Sequence, residues 1–191
     1  MANTDAPCGL KPVGHITGGP WNGMTNTYYV ASGDAAAIFI GDPVKIGGSA
    51  DPTGRYPDVA VCTTGDQIQG VMVGVGMLGQ DFDPSDLDLK YREASTNTYI
   101  QVVDDPTVIF EIQEDGTSAV TGVNLNYDLL TTAGSSTTGL SAMELDTSSA
   151  TAGTASLRLL RYVDREDNAV GEHAKMLVRI VEHAALSVTG G

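Results

Sequence analysis

The sequence predicts a mainly β chain, an antiparallel β-sandwich or barrel with an extended N-terminal arm and little helix. Three observations carry that prediction. Short runs rich in β-branched and aromatic residues recur along the chain. Gly, Pro, Asp and Asn clusters punctuate them at short intervals. No amphipathic stretch of helical period separates them, as a parallel βαβ sheet would require.

Residues 1–24 contain Pro7, Pro12 and Pro20 with Gly9, Gly14, Gly18, Gly19 and Gly23, and neither a strand nor a helix period survives through them. They read as an extended arm preceding one β domain at 25–191. The arm's apolar residues, Leu10, Val13, Ile16 and Trp21, must lie on the body of the same subunit or on a neighbour. These four are the candidate partner-binding residues.

Strands are expected at Thr27–Ala31, Ala37–Ile40, Val44–Ile46, Val59–Cys62, Ile68–Val75, Tyr99–Val103 and Val108–Gln113. Turns are expected at Gly41-Asp42-Pro43, Gly47-Gly48-Ser49, Asp51-Pro52-Thr53-Gly54 and Asp104-Asp105-Pro106. Ser85–Tyr91, following a proline, and Ser118–Leu130 are the two helix candidates, the second weakened by Gly122 and its asparagines. Thr131–Ser141 consists almost wholly of Ser, Thr and Gly and opens a polar, solvated loop spanning 131–153, broken only by Ala142–Leu145. Two last strands, Ala155–Val163 and Met176–His183, show apolar alternation around a charged turn at Asp164–Asn168.

Ten Lys and Arg against 24 Asp and Glu give a net charge of −14. A field of that sign repels phosphate backbones and anionic headgroups, so neither nucleic acid nor membrane is expected as a partner. No apolar run approaches the ~20 residues of a membrane helix, and the opening Met-Ala-Asn-Thr-Asp-Ala lacks a basic and apolar leader, so synthesis in a cytoplasm is expected. Cys8 and Cys62 are too few and too far apart for a zinc motif or a disulfide framework and read as separate free thiols. The charge is uneven. Asp81–Asp115 holds ten acidic residues against Lys90 and Arg92, while five of the ten cations fall between Arg158 and Arg179. If copies pack side by side, basic strands of one subunit would face acidic loops of another.

Motifs for chemistry fail on context. Gly74-Val-Gly76-Met-Leu-Gly79 has dinucleotide spacing, but the acidic, proline-containing stretch that follows cannot open the helix a pyrophosphate needs. Asp81, Asp83, Ser85, Asp86 and Asp88 offer hard oxygens to calcium, yet Asp86 stands where an EF-hand loop needs Gly and Arg92 where it needs Glu. His15, His173 and His183 share no metal-ligand frame. Gly134-Ser-Ser-Thr-Thr-Gly139 resembles the glycine-rich tail of trimeric all-β nucleotide pyrophosphatases, but lacks arginine and that family's other motifs. No catalytic, cofactor-binding or metal-ligating residue is expected.

Longer phrases point elsewhere. Gly9-Leu-Lys-Pro-Val13, Pro20-Trp-Asn-Gly23, Ile40-Gly-Asp-Pro-Val-Lys45, Gly70-Val-Met-Val-Gly74, Asp104–Asp115, Thr138–Asp146 and Val163–Gly171, read in order, resemble the head decoration (capsid cement) proteins of tailed bacteriophages. The resemblance spans most of the chain; Gln80–Asp88 and the tail after His183 match least. It implies a non-enzymatic β protein on the outer surface of the expanded virion capsid. Such a protein clamps neighbouring major capsid protein subunits, commonly as homotrimers, and uses no cofactor.

Two other classes remain in view. A β-sandwich module of a phage fibre or surface protein, binding a receptor or glycan, would want exposed aromatics, and here they are only 6% of residues and dispersed. A hydrolase built on Asp104, Asp105 and Glu111 would rest on abundance alone, since paired carboxylates catalyse only when their environments split their pKa values.

Overall fold

The computed structural model describes residues 3–76 and 89–186. Strands dominate and no helix reaches seven residues among the described residues. In chain order the strands are β1 (Lys11–His15), β2 (Asn26–Val30), β3 (Pro43–Ala50), β4 (Pro57–Val61), β5 (Gly70–Val75), β6 (Thr98–Val103), β7 (Val108–Gln113), β8 (Asn126–Tyr127), β9 (Leu129–Leu130), β10 (Glu144–Leu145), β11 (Leu157–Tyr162) and β12 (Lys175–Ile180).

Five of them close a small barrel in the order β2-β4-β3-β5-β6. Its pairs are antiparallel except where β4 meets β2 in parallel at Tyr29 and Asp58. Tyr28, Val30, Ile38, Val44, Val59, Met72, Ile100 and Val102 form its buried cluster. A second, five-stranded antiparallel sheet runs β1-β7-β12-β11-β8. Strict alternation makes it two-faced: in β7, Val108, Phe110 and Ile112 are buried while Ile109 and Glu111 are half-buried on the other side.

The buried face of this sheet lies against the outside of the barrel, and the larger core is shared between them. It joins Phe110, Ile112, Leu157, Leu159, Met176 and Val178 to the barrel residues Cys62, Ile68, Val71 and Val103. Strand β5 contributes to both clusters, Val71 to the shared core and Met72 to the barrel. Its run Gly70-Val-Met-Val is continuous rather than alternating because it is covered on both faces.

Residues 3–24 lie on the body of their own subunit. Lys11–His15 pairs with β7 as the sheet's edge strand, and Leu10 is fully buried in the shared core. Gly9 explains the close approach. At φ +68° it sits so near the Ile40-Gly-Asp-Pro turn that a Cβ would fall 2.4 Å from the Gly41 carbonyl oxygen. Gly41, at φ +98°, would meet the Cys8 carbonyl at 2.3 Å. Only glycine at both positions permits this crossing and the Leu10 N–H to Gly41 carbonyl bond of 2.9 Å.

Several expected elements differ. Ser118–Leu130 is not a helix: only Val120–Gly122 makes a 3₁₀ turn, followed by β8 and β9. Tertiary pairing wins there, since Asn126 and Tyr127 register with Arg158 and Leu157 of β11, and Asn124 is left-handed at φ +72°. Ala37–Ile40 is no strand but makes isolated bridges, Ile38 to Arg92 and Ile40 to Leu140. The expected turn at Gly47-Gly48-Ser49 lies within β3, which continues to Ala50 with a shift in register against β4. The reversal falls at Asp51, whose carboxylate accepts from Thr53 Oγ1 and from the N–H groups of Arg55 and Tyr56. Met176–His183 ends as a strand at Ile180. Of the helix expected at Ser85–Tyr91, residues 85–88 lie outside the described residues and Leu89–Tyr91 carry no regular element.

Among the described residues, Arg92 is the largest fully buried side chain. Its guanidinium donates to the carbonyls of Ala31, Ala36 and Thr96, tying together the segments that leave β2 and enter β6. Nothing in the sequence pattern marked it, because an arginine in an acidic stretch reads as surface charge.

Candidate functional site

The four candidate partner-binding residues separate into two groups. Leu10 is spent in its own subunit's core, Trp21 packs against the same core, and Val13 is half-buried in the bulge of β1. Ile16 is 51% exposed at the tip of a tight turn, where the His15 N–H donates to Gly19 and the Gly18 N–H to His15. The nearby Met24, which the sequence reading passed over, is 72% exposed. Among the described residues of the arm, these two are the exposed large apolar side chains.

The other, half-buried face of the five-stranded sheet concentrates positive charge. Directly paired residues in antiparallel strands share a face. Arg158 on β11 therefore stands opposite Arg179 on β12, Arg179 opposite Ile109 on β7, Arg161 opposite Leu177, and Lys11 on β1 opposite Glu111. Lys175 follows on the same side of β12 by alternation. Half-buried Ile109 and Leu177 form the apolar centre. The face thus carries Lys11, Arg158, Arg161, Lys175 and Arg179, half of the ten cations of a chain whose net charge is −14. Its one acid among these paired positions, Glu111, is answered by Arg165 at 3.1 Å. Arg158 donates through Nε to Asn126 at 2.9 Å, while the buried Nε of Arg179 has no hydrogen-bond partner.

The carboxylates of the hydrolase alternative are each engaged separately. Asp104 accepts from Asn26 Nδ2 and from the Tyr28 hydroxyl at 2.8 Å; burial and that carboxylate push the Tyr28 hydroxyl up to about 12. Asp105 accepts the Thr107 N–H and hydroxyl, both at 2.8 Å, which hold it below the usual range, with lesser help from His15 and His183. Glu111 belongs to the cationic face. Gly134 and Gly139 pack closely on Phe39 and on the Lys90 backbone, so the polar loop is docked at both glycines although most of it is exposed. Asp81–Asp88 and Gly79 lie outside the described residues. Both cysteines are free, Cys62 buried and Cys8 half-buried, and burial pushes each thiol up.

His183, on a bridge beside Ile68, is buried, and burial lowers its pKa. His15 faces Thr107 and Asp105. His173 stands apart from both, in the β11–β12 loop beside Asp5 and Glu144. That grouping was invisible in the sequence, where the three residues are far apart in the chain.

No family model, no curated protein and no solved structure matches this chain.

Proposed function

We propose that the chain is a non-enzymatic virion structural protein of a tailed bacteriophage. In this reading it decorates the outer surface of the expanded capsid and clamps neighbouring major capsid protein subunits, associating with itself as trimers there. The observation that carries the reading is the cationic sheet face of an otherwise acidic molecule. Arg158 and Arg179 stand directly opposite each other. Like charges so placed disfavour an isolated sheet and become favourable against an anionic surface. Acidic surfaces of neighbouring copies supply one, and Ile109 and Leu177 supply apolar area to bury with them.

The resemblance fits the packing. Three of its phrases, Gly9–Val13, Ile40–Lys45 and Thr138–Asp146, meet at one junction, where a Cβ on Gly9 would lie 2.4 Å from Gly41 O and 2.6 Å from Ser141 Cβ. Residues fixed by such contacts serve a framework rather than a reaction. A clamp repeated over a shell needs only modest affinity at each contact, because many contacts act together. Net negative charge keeps the subunit from adhering to the packaged nucleic acid.

Quantitative peptide mass spectrometry on gradient-purified virions of the encoding phage tests this. A copy number close to that of the major capsid protein is expected. A few copies per particle would replace the reading with the fibre or surface module, and absence from the particle would end it.

A further inference from the structure

Asp5, Glu144 and His173 reach one place from three chain segments: the N-terminal stretch, β10 and the loop between β11 and β12. One ligand-type atom from each lies within 4.8 Å of the other two. The imidazole Nδ1 is buried and has no hydrogen-bond partner. Its carboxylate neighbour, Asp5 Oδ1, is 3.8 Å away, beyond hydrogen-bond reach. Two ligands of a tetrahedral zinc ion, each at ~2.0–2.2 Å, sit about 3.4 Å apart. The Asp5–His173 separation is therefore a few tenths of an ångström from that of two donors sharing an ion.

The surroundings hold these groups in place. Gln113 Nε2 donates to Asp5 Oδ1 at 3.0 Å and to Glu144 Oε1 at 3.2 Å. Its own Oε1 accepts the Ala6 N–H at 3.1 Å, which fixes the amide's orientation. Asn3 closes the other side, donating to the Ala169 and Glu172 carbonyls and accepting the Ala169 N–H. His173 adopts φ +59°, anchored by its N–H on the Gly116 carbonyl at 3.1 Å. Its other nitrogen, Nε2, lies 3.8 Å from the exposed Glu172 carboxylate, likewise beyond hydrogen-bond reach. Two carboxylates are thus held together by a neutral amide beside a buried histidine nitrogen without a hydrogen-bond partner.

We propose that Asp5, Glu144 and His173 bind a divalent transition-metal ion of the zinc type, which staples the N-terminal segment to β10 and to the β11–β12 loop. One imidazole with two carboxylates suits zinc, cobalt or manganese, whereas magnesium and calcium prefer an all-oxygen shell. Three protein donors leave a fourth position for water.

Calorimetric titration of the metal-stripped full-length protein with zinc chloride tests the proposal, with cobalt absorption reporting the coordination. The expected result is a single site per chain. Asp5→Asn and His173→Asn should each weaken it by about tenfold or more, with Cys8→Ser and added magnesium leaving it unchanged. Asparagine is chosen at 173 because it tolerates a left-handed backbone. Circular dichroism of both variants separates lost binding from lost folding. Failure to bind zinc at about millimolar concentration, or binding that survives both substitutions, would overturn the proposal.

Discussion

Asp42 is 2% exposed, with Oδ2 accepting the Phe39 N–H at 2.8 Å and Oδ1 without a partner. Burial outweighs the hydrogen bonds from Ser141 and Phe39 and lifts its carboxyl from 3.8 to about 6. Between those values the folded chain keeps a proton that the unfolded chain has released. Asp42 therefore favours the folded state most below pH ~4, and that contribution is lost as pH rises through about 6. His183 acts in the opposite direction: its lowered pKa favours the folded state above about 6.5, an advantage lost on acidification through the folded value. Asp42→Asn removes the first effect alone. Urea denaturation from pH 4 to 7 should show the variant more stable than the parent at neutral pH, by at most about 3 kcal/mol. The difference between the two should shrink towards pH ~4. A difference that does not change with pH would assign the burial cost to something other than ionisation.

At the scale of elements, the Gly9–Gly41 crossing fastens the N-terminal segment to the barrel. Gly9→Ala and Gly41→Ala each place a methyl against a carbonyl and force a left-handed alanine. Each should destabilise by about 2 kcal/mol or more, read as a fall in thermal midpoint. Gly18→Ala has the same kind of positive φ, +95°, with nothing within 4 Å of the added carbon, and should cost only about 1 kcal/mol. Strands β5, β6, β7, β11 and β12 were legible because their apolar residues alternate or run unbroken, and that pattern depends on burial alone. Ser118–Leu130 was misread because β11 holds β8 there, and no local signal outweighs that pairing. Strand β1 was not legible, because Lys11–His15 carries no apolar alternation, and Leu10 in the core is a consequence of one close glycine contact.

For the whole molecule, charge placement is the testable feature. Arg161→Glu with Arg179→Glu should leave monomer stability within about 1 kcal/mol, since Arg161 is exposed and Arg179 already faces a like charge. The same pair should abolish self-association and shell binding. Sedimentation velocity and co-pelleting with expanded shells would measure the two losses, and raised salt should weaken the parent's contacts in the same direction. Unchanged association would move the interface off this sheet. The sequence by itself determined the β class, the turns at Asp51–Gly54 and Asp104–Pro106, the net charge and the cationic stretch from Arg158 to Arg179, because composition and periodicity are local properties of the chain. Only the tertiary structure decided that Arg92 is an internal tie, that Ile16 and Met24 rather than Leu10 are free for a partner, and that five cations share one face. It also decided that Asp5, Glu144 and His173 meet. Each of those depends on contacts between residues far apart in the chain, and such pairings follow from how strands register, which no short stretch of sequence encodes.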